Sequence, residues 1–320
     1  MNKLIAIGEL IIDFQSVGIQ PLKDTKEFVK NPGGAPANVC VQAAKNGHNT
    51  VYASMVGADG FGEFLIESLK INNVDTRFVK KSNEYQTSLA FVSFLDNGER
   101  EFSFFRKAAA DLYFTADDFK DIEINSNDIL DFGSVALKTK ESRSAHDSLI
   151  DKANNSNALI CFDPNVRLNL WENHDELRSI IKEYATKAHI LKISDDEAEF
   201  ITGYKCLDEA IKSLFVGNVQ LILLTKGAHG AEIYTRDGLI AAHPGYKVKA
   251  VDTTGAGDSF FGGFITKLLD LNVSKERLLN SSINFNEILS FACKCGAYTT
   301  TNYGAISAMG NRTQVESVGE

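Results

Sequence analysis

Apolar runs of strand length recur along this chain, with helix-length segments between most of them, and that alternation restricts the fold more than any other feature. The runs are "KLIAIGELIID", "TVYASMVG", "DILDFGSVAL", "NALICFDPN", "AHILKIS" and "VQLILLTKG". A strand that is apolar along its whole length is buried on both faces and needs helices on both sides of its sheet. Segments 37–46, 61–71, 141–154, 174–187 and 206–217 have the length to supply them. The expected fold is therefore α/β, a three-layer, doubly wound, mainly parallel sheet. No repeat, low-complexity tract or linker divides the 320 residues, so a single domain over 1–320 is expected. Sheets of this kind bind ligands beyond the carboxyl ends of their strands.

Two regions depart from the alternation. "TSLAFVSFLDNGEREFSFFR", residues 87–106, reads as two strands joined through "DNG", a hairpin signal. Residues 14–31 are extended or irregular, with Pro21 and Pro32 flanking a polar run. Together they suggest a small β lid, inserted from about 14–31 and 85–107; an excursion of the main sheet is the other reading.

Composition excludes several classes. The formal net charge of −9 opposes broad nucleic-acid binding, which needs a basic footprint. No apolar run approaches the roughly 20 residues that span a bilayer, so no membrane association is expected. The start "MNKLIAIGELIIDF" lacks a cleavage site and is interrupted by Glu9 and Asp13, which favours a buried strand over a signal peptide. Five scattered cysteines without metal spacing read as reduced thiols of a cytoplasmic protein.

The densest chemistry lies in "DTTGAGDSF", 252–260. A helix starting near Gly255 would aim the amides of Gly255, Ala256 and Gly257 at one spot, an anion hole reinforced by the helix dipole. Asp258 would sit just inside, placed to take the proton of an attacking hydroxyl during phosphoryl transfer. Other polar groups fall at strand ends. Asp13 closes the first apolar run and suits sugar hydroxyls, or is a surface carboxylate. In "NPGGAPANVC" the glycines allow close backbone approach, while Asn38 opens a helix as its cap or bonds a hydroxyl. "VGADGFG" reads best as a turn with Asp59 as cap. "CFDPNVR" sets Asp163, Asn165 and Arg167 beyond a strand, and "KISDDEAEF" does the same with Lys192 and Glu197, the latter equally an acidic helix start. "TKGAHG" puts Thr225, Gly227 and Gly230 against a nucleotide or in a simple hairpin.

Competing signatures fail. No phosphate-binding G-x-x-x-x-G-K-[ST] occurs, and "GAGDSF" has Phe260 where a dinucleotide fingerprint needs a third glycine.

Together "PGGAPANV", "VGADGFG" and "DTTGAGDSF" resemble the signatures of the ribokinase-like sugar kinases, the phosphofructokinase-B family, over nearly the whole chain. "GEREFSFFR", "FDPNVRLNLW" and "KISDDE" look more specifically like its fructokinases. The resemblance implies phosphorylation of a sugar hydroxymethyl group with MgATP, fructose to fructose 6-phosphate being the leading reaction. Asp258 would be the base and Gly255, Ala256 and Gly257 the anion hole. Asp13, Gly33, Gly34 and Asn38 would contact the sugar, with Phe104 and Arg106 from the lid; Asn165 and Arg167 would lie between sugar and phosphates. Lys192, Glu197, Thr225, Gly227, Gly230 and Cys293 would serve the nucleotide, Glu197 acting indirectly on Mg²⁺. Asp252 and Thr254 match a monovalent-cation site, for potassium.

Three departures stand out: Ser194 where many relatives carry Asn, Cys293 for a frequent Asn near the adenine, and Ala308 where a hydroxyl often adjoins the cation. The alternatives are ribokinase, 2-keto-3-deoxygluconate kinase or nucleoside kinase activity, a non-catalytic sugar-binding regulator, or, more distantly, an NAD-dependent dehydrogenase. Alternating aromatics in "LAFVSFL" and "FSFF" would roof the sugar or seal a homodimer through the lids.

Overall fold

The computed structural model describes residues 2–96 and 100–319. Asn97 and Gly98 of the expected hairpin turn lie outside the described residues. In chain order the elements begin β1 (Lys3–Ile7), β2 (Ile11–Ile19), β3 (Phe28–Gly33), α1 (Ala35–Lys45), β4 (Asn49–Gly57), α2 (Gly60–Ile71) and β5 (Val74–Ser82). The middle of the chain gives β6 (Ser88–Phe94), β7 (Arg100–Phe105), β8 (Ile129–Gly133), α3 (Lys140–Asn155), β9 (Leu159–Asp163), α4 (His174–Ala185) and β10 (Ile190–Ser194). There follow α5 (Asp195–Thr202), α6 (Leu207–Ser213), β11 (Leu221–Thr225), β12 (Ala231–Thr235), β13 (Gly238–His243), α7 (Ala256–Asp270), α8 (Phe285–Thr300) and α9 (Arg312–Glu316).

Nine strands form one sheet in the order β13-β12-β11-β10-β9-β8-β1-β4-β5. Pairing is parallel from β5 through β11, and the β11–β12 and β12–β13 pairs are antiparallel. Alternation along each strand feeds two cores. On β1, Leu4 and Ala6 pack toward Val39 of α1 and Phe264 of α7, while Ile5 and Ile7 face Leu149 of α3 and Leu177 of α4. Successive side chains of a strand point to opposite faces, which makes three layers. These positions are fully buried, and truncating one such as Phe264 to Ala costs about 3–5 kcal/mol.

The run "KLIAIGELIID" is not one strand. It breaks at Gly8–Leu10, after which β2 enters a separate four-stranded sheet ordered β3-β2-β6-β7. Asp13 therefore lies within a strand of the small sheet, paired with Asn31 and Ala90, and not at the end of the first core strand. The helix expected over 206–217 ends at Ser213. Asp59 caps α2 through the amides of Phe61 and Gly62. The same carboxylate takes the Thr87 amide at 3.0 Å and its hydroxyl at 2.8 Å, pinning the chain where it leaves for β6.

Candidate active site

The start of α7 is fixed from both sides. Gly255 caps it with φ 73°, a left-handed conformation, and a Cβ there would lie 2.7 Å from that of Ala305. Asp252 holds the preceding turn. One of its oxygens accepts from the Thr254 amide at 2.9 Å and hydroxyl at 2.7 Å, and the other from the Gly304 amide at 3.0 Å. Buried Ser259, bonded to Gln42 at 2.7 Å and to Thr299 at 2.8 Å, locks α7 against α1 and α8. The first-turn amides of Gly255 and Gly257 have no carbonyl a turn behind them, whereas Ala256 N–H reaches Thr253 O at 3.3 Å.

Asp258 opens into a cavity of about 560 Å³ between the two sheets. Its Oδ2 accepts from Asn38 Nδ2 at 2.8 Å. Asn38 does not cap α1. The helix starts three residues earlier behind Gly34, and Asn38 points from its first turn into the site. Asp13, Gly34, Phe104, Asn165 and Arg167 share the lining. Gly33 lies just outside it because the Asp13 carboxylate covers its α-carbon; a Cβ would sit 2.1 Å from Asp13 Oδ2. Arg106 is not among the lining residues. Its guanidinium is buried on Asp111 at 2.5 Å and on Val135 O at 2.9 Å, closing the lid's return to the core.

Burial dominates the electrostatics. It pushes Asp13 up to about 7, with Arg167 opposing and Asp258 adding to the rise. Burial likewise lifts Asp258 above the ordinary carboxylate value, against Asn38, Lys192 and Arg167. Lys192, bonded to Asp163 at 2.5 Å, is lowered by burial, but Asp163, Glu197 and Asp258 more than offset this and keep it charged. Its amine lies 3.7 Å from where a Cβ on Gly257 would be.

A second cavity of about 550 Å³ adjoins the first, and Thr225, Thr253 and Gly257 line both. Gly227, Gly230, Ala256, Phe260 and Cys293 belong to it. This wall is small and apolar, suited to a flat heterocycle. Burial raises the Cys293 thiol to about 12, so it is a neutral wall and no nucleophile.

Among the described residues no group of three His, Cys, Asp or Glu could hold a metal ion. Both Glu197 oxygens already accept backbone amides, from Val166 at 2.7 Å and Ser194 at 2.8 Å. Magnesium that arrives on phosphates and keeps its waters needs no protein cage, and the Glu197 carboxylate beside Lys192 fits that mode. Asp252 and Thr254, matched by resemblance to a cation site, hydrogen-bond each other.

A charged lining residue also stands outside the sequence motifs. Glu9, at the break after β1, lines the first cavity. Its Oε1 accepts the Ala35 amide at 2.9 Å, while buried Oε2 has no partner among the described residues. Burial pushes it up to about 7, with Arg106 opposing. The signal was a carboxylate inside an apolar run.

Comparison with known proteins agrees with this geometry. The family profile of the pfkB family carbohydrate kinases matches residues 1–312. Fructokinase-2 of Solanum lycopersicum is 38% identical over 310 residues, covering 96% of this chain and 92% of that protein. Fructokinase from Xylella fastidiosa with bound ATP superposes with a TM-score of 0.88 at 30% identity, covering 98% of this chain and 97% of the other. Fructokinase from Vibrio cholerae O395 with fructose, ADP and calcium ion bound gives 0.86 at 29% identity, covering 100% and 99%.

Proposed function

The chain belongs to the pfkB family of carbohydrate kinases, and from that footing we propose that it is a fructokinase, transferring the γ-phosphoryl group of ATP to the terminal hydroxymethyl of fructose. The observation that carries this reading is the meeting of two cavities at the start of α7, with Asp258 on the acceptor side and the Gly257 backbone on both. ATP- and fructose-bound relatives supply the two ligands such a junction accommodates.

In the proposed reaction Asp258 takes the proton as the sugar oxygen bonds to the γ-phosphorus, and the bond to the β,γ-bridging oxygen breaks to release ADP. Asn38 aims the carboxylate, and the first-turn amides of α7 with Lys192 meet the charge on the transferring oxygens. Asp13 and Gly34 hold sugar hydroxyls, Phe104 roofs them, and Asn165 and Arg167 stand between sugar and phosphates. Thr225, Gly227, Gly230 and Cys293 seat the nucleotide. Magnesium, carried on the phosphates near Glu197, neutralises their charge when bound. A potassium site would use Asp252 and Thr254, already bonded to the α7 turn. Five unpaired cysteines suit a reducing cytoplasm.

A homodimer through the lids belongs to the same reading. Val17, Ile19, Val29 and Phe102 are 49%, 62%, 52% and 42% exposed on the small sheet, an apolar cluster that a second lid would cover.

ADP release with MgATP across fructose, glucose, mannose, ribose, 2-keto-3-deoxygluconate and adenosine tests the reading. A kcat/KM for fructose about tenfold above the rest, lowered by about 10²–10⁴-fold in Asp258→Asn, is expected. Preference for another sugar would move the specificity, and sugar binding without turnover would make the protein a sugar-binding regulator.

A further inference from the structure

Asp163, the last residue of β9, has no part in the reaction described above. The register Cys161–Ile190 and Phe162–Leu191 brings it level with Lys192 on the neighbouring β10. Side chains level with each other on adjacent strands leave the same face of the sheet, so carboxylate and ammonium stand side by side. Across β8 its neighbour is Gly133, which has no side chain to compete for either. At 4% exposure Asp163 is absent from the lining of the first cavity, whereas Lys192 and Asn165 belong to it.

The two oxygens of Asp163 have different partners. Oδ2 accepts from Lys192 Nζ at 2.5 Å, and Oδ1 accepts the Asn165 amide at 3.1 Å. The first bond holds a flexible four-carbon stem in one direction. An ammonium has three donors. Asp163 takes one, and no other hydrogen bond from Lys192 occurs among the described residues, which leaves two for the cavity. The second bond closes a turn two residues on, a local bond that Asp side chains favour. Asn165 has φ 47°, in the left-handed region that is uncommon outside glycine. Pro164 O accepts from the Ser134 hydroxyl at 2.5 Å, and the Val166 amide is held by Glu197. Asp163 therefore supplies the fastening between those two. Burial pushes Asp163 up to about 6, with Lys192 opposing and Glu197 and Asp258 adding to the rise, so at neutral pH it is a carboxylate.

We propose that Asp163 is a positioning residue, aiming the Lys192 ammonium at the first turn of α7 through one oxygen and fixing the Asn165 backbone through the other, a role that rests on the phosphoryl-transfer reading above. Cation and amide then meet the transferring group as one rigid unit. Lys192 Nζ already lies near that turn, 3.7 Å from where a Cβ on Gly257 would be. A donor fixed before the phosphate arrives leaves no side-chain ordering to the transition state.

Two substitutions separate the two oxygens. Asp163→Asn keeps an oxygen for the Asn165 amide and removes the charge that holds Lys192, whereas Asp163→Ala removes both. With MgATP and the preferred sugar, Asp163→Asn is expected to lower kcat about 10–100-fold and to leave KM for the sugar within about twofold. Asp163→Ala is expected to raise that KM about tenfold as well. In a Lys192→Met background, where no buried cation needs a partner, Asp163→Asn should change kcat by no more than about twofold, because residues acting as a unit are not additive. Crystal structures supply the readout that needs no turnover: in Asp163→Asn the Lys192 ammonium should leave the start of α7 while Asn165 stays left-handed. A wild type inactive on every sugar, with the ammonium displaced in Asp163→Asn, would refute the proposed reaction and uphold the tether. An ammonium that does not move in Asp163→Asn, or losses in kcat that simply multiply across Asp163→Asn and Lys192→Met, would overturn the positioning role.

Discussion

Asn38 Nδ2 lies 2.8 Å from Asp258 Oδ2, a hydrogen bond that joins the first turn of α1 to the first turn of α7. The two residues are 220 apart in sequence, so the bond forms only when the ends of the chain have packed together. It sets the direction of the carboxylate before any ligand arrives, which is preorganisation at the proposed base.

Asp258→Asn should lower kcat by about 10²–10⁴-fold with little change in either KM, as expected for loss of a general base. Asn38→Ala should cost about 10-fold in kcat while leaving the thermal midpoint within a few degrees. Initial-rate kinetics and calorimetry on the same preparations check both, and equal losses in KM alone would refute the assignment.

The acid limb of the pH profile should report carboxyls held above their ordinary range. Asp13, pushed up to about 7, would bind a sugar hydroxyl in its proposed role as the carboxylate, which prevails above that pH. KM for fructose should therefore rise as pH falls through about 7, and Asp13→Asn should flatten that dependence. A wild-type KM constant from pH 5 to 8 would contradict it.

Glu9 should make stability depend on pH in the less common direction. Its pKa is raised on folding from 4.5 to about 7, so between those values the folded state binds more protons than the unfolded one. Stability then falls as pH rises through this window. The difference amounts to about 3 kcal/mol at most. Relative to wild type, Glu9→Gln should gain stability from pH 4.5 to 7 and run parallel above it, as urea denaturation at each pH would show.

Cys293→Phe should fill the second cavity and leave the first open. KM for ATP should rise at least about tenfold with KM for fructose unchanged; a rise in both would mean that the substitution disturbs α8 rather than a nucleotide seat.

Sedimentation velocity checks the lid dimer. Wild type should sediment as a dimer and the Ile19→Glu, Val29→Glu variant as a monomer, since two charges cannot be buried unpaired in an apolar contact. A monomeric wild type would end this part of the reading.

The sequence revealed most where residues sit at strand ends. "DTTGAGD" announced a helix start with a carboxylate inside it, and α7 begins one residue from the expected glycine. Apolar runs that serve both faces of a sheet were equally plain. Position within a continuous apolar run was not. Nothing in "KLIAIGELIID" shows that Gly8–Leu10 passes between sheets, because β1 and β2 are both apolar and extended. For that reason Asp13 reads as the end of a core strand, and Glu9 as no more than an interruption of the run. Arg106 reads as a ligand in "FFR", yet its partner Asp111 lies only five residues on; pairing inside a buried loop leaves no periodic trace. β5, β12 and β13 also leave no clear run, their half-exposed residues diluting the apolar signal.

The break at Gly8–Leu10 makes the enzyme separable in an engineering sense. The residues that line the first cavity from the small sheet are encoded in 11–33 and 88–105, and those at its proposed phosphate end in 163–197 and 252–258. On the proposed reading, the small sheet's share of acceptor preference would move between relatives as two short cassettes without rewriting the transfer machinery, provided that Asp59, Thr87 and the Arg106–Asp111 pair travel as their fasteners.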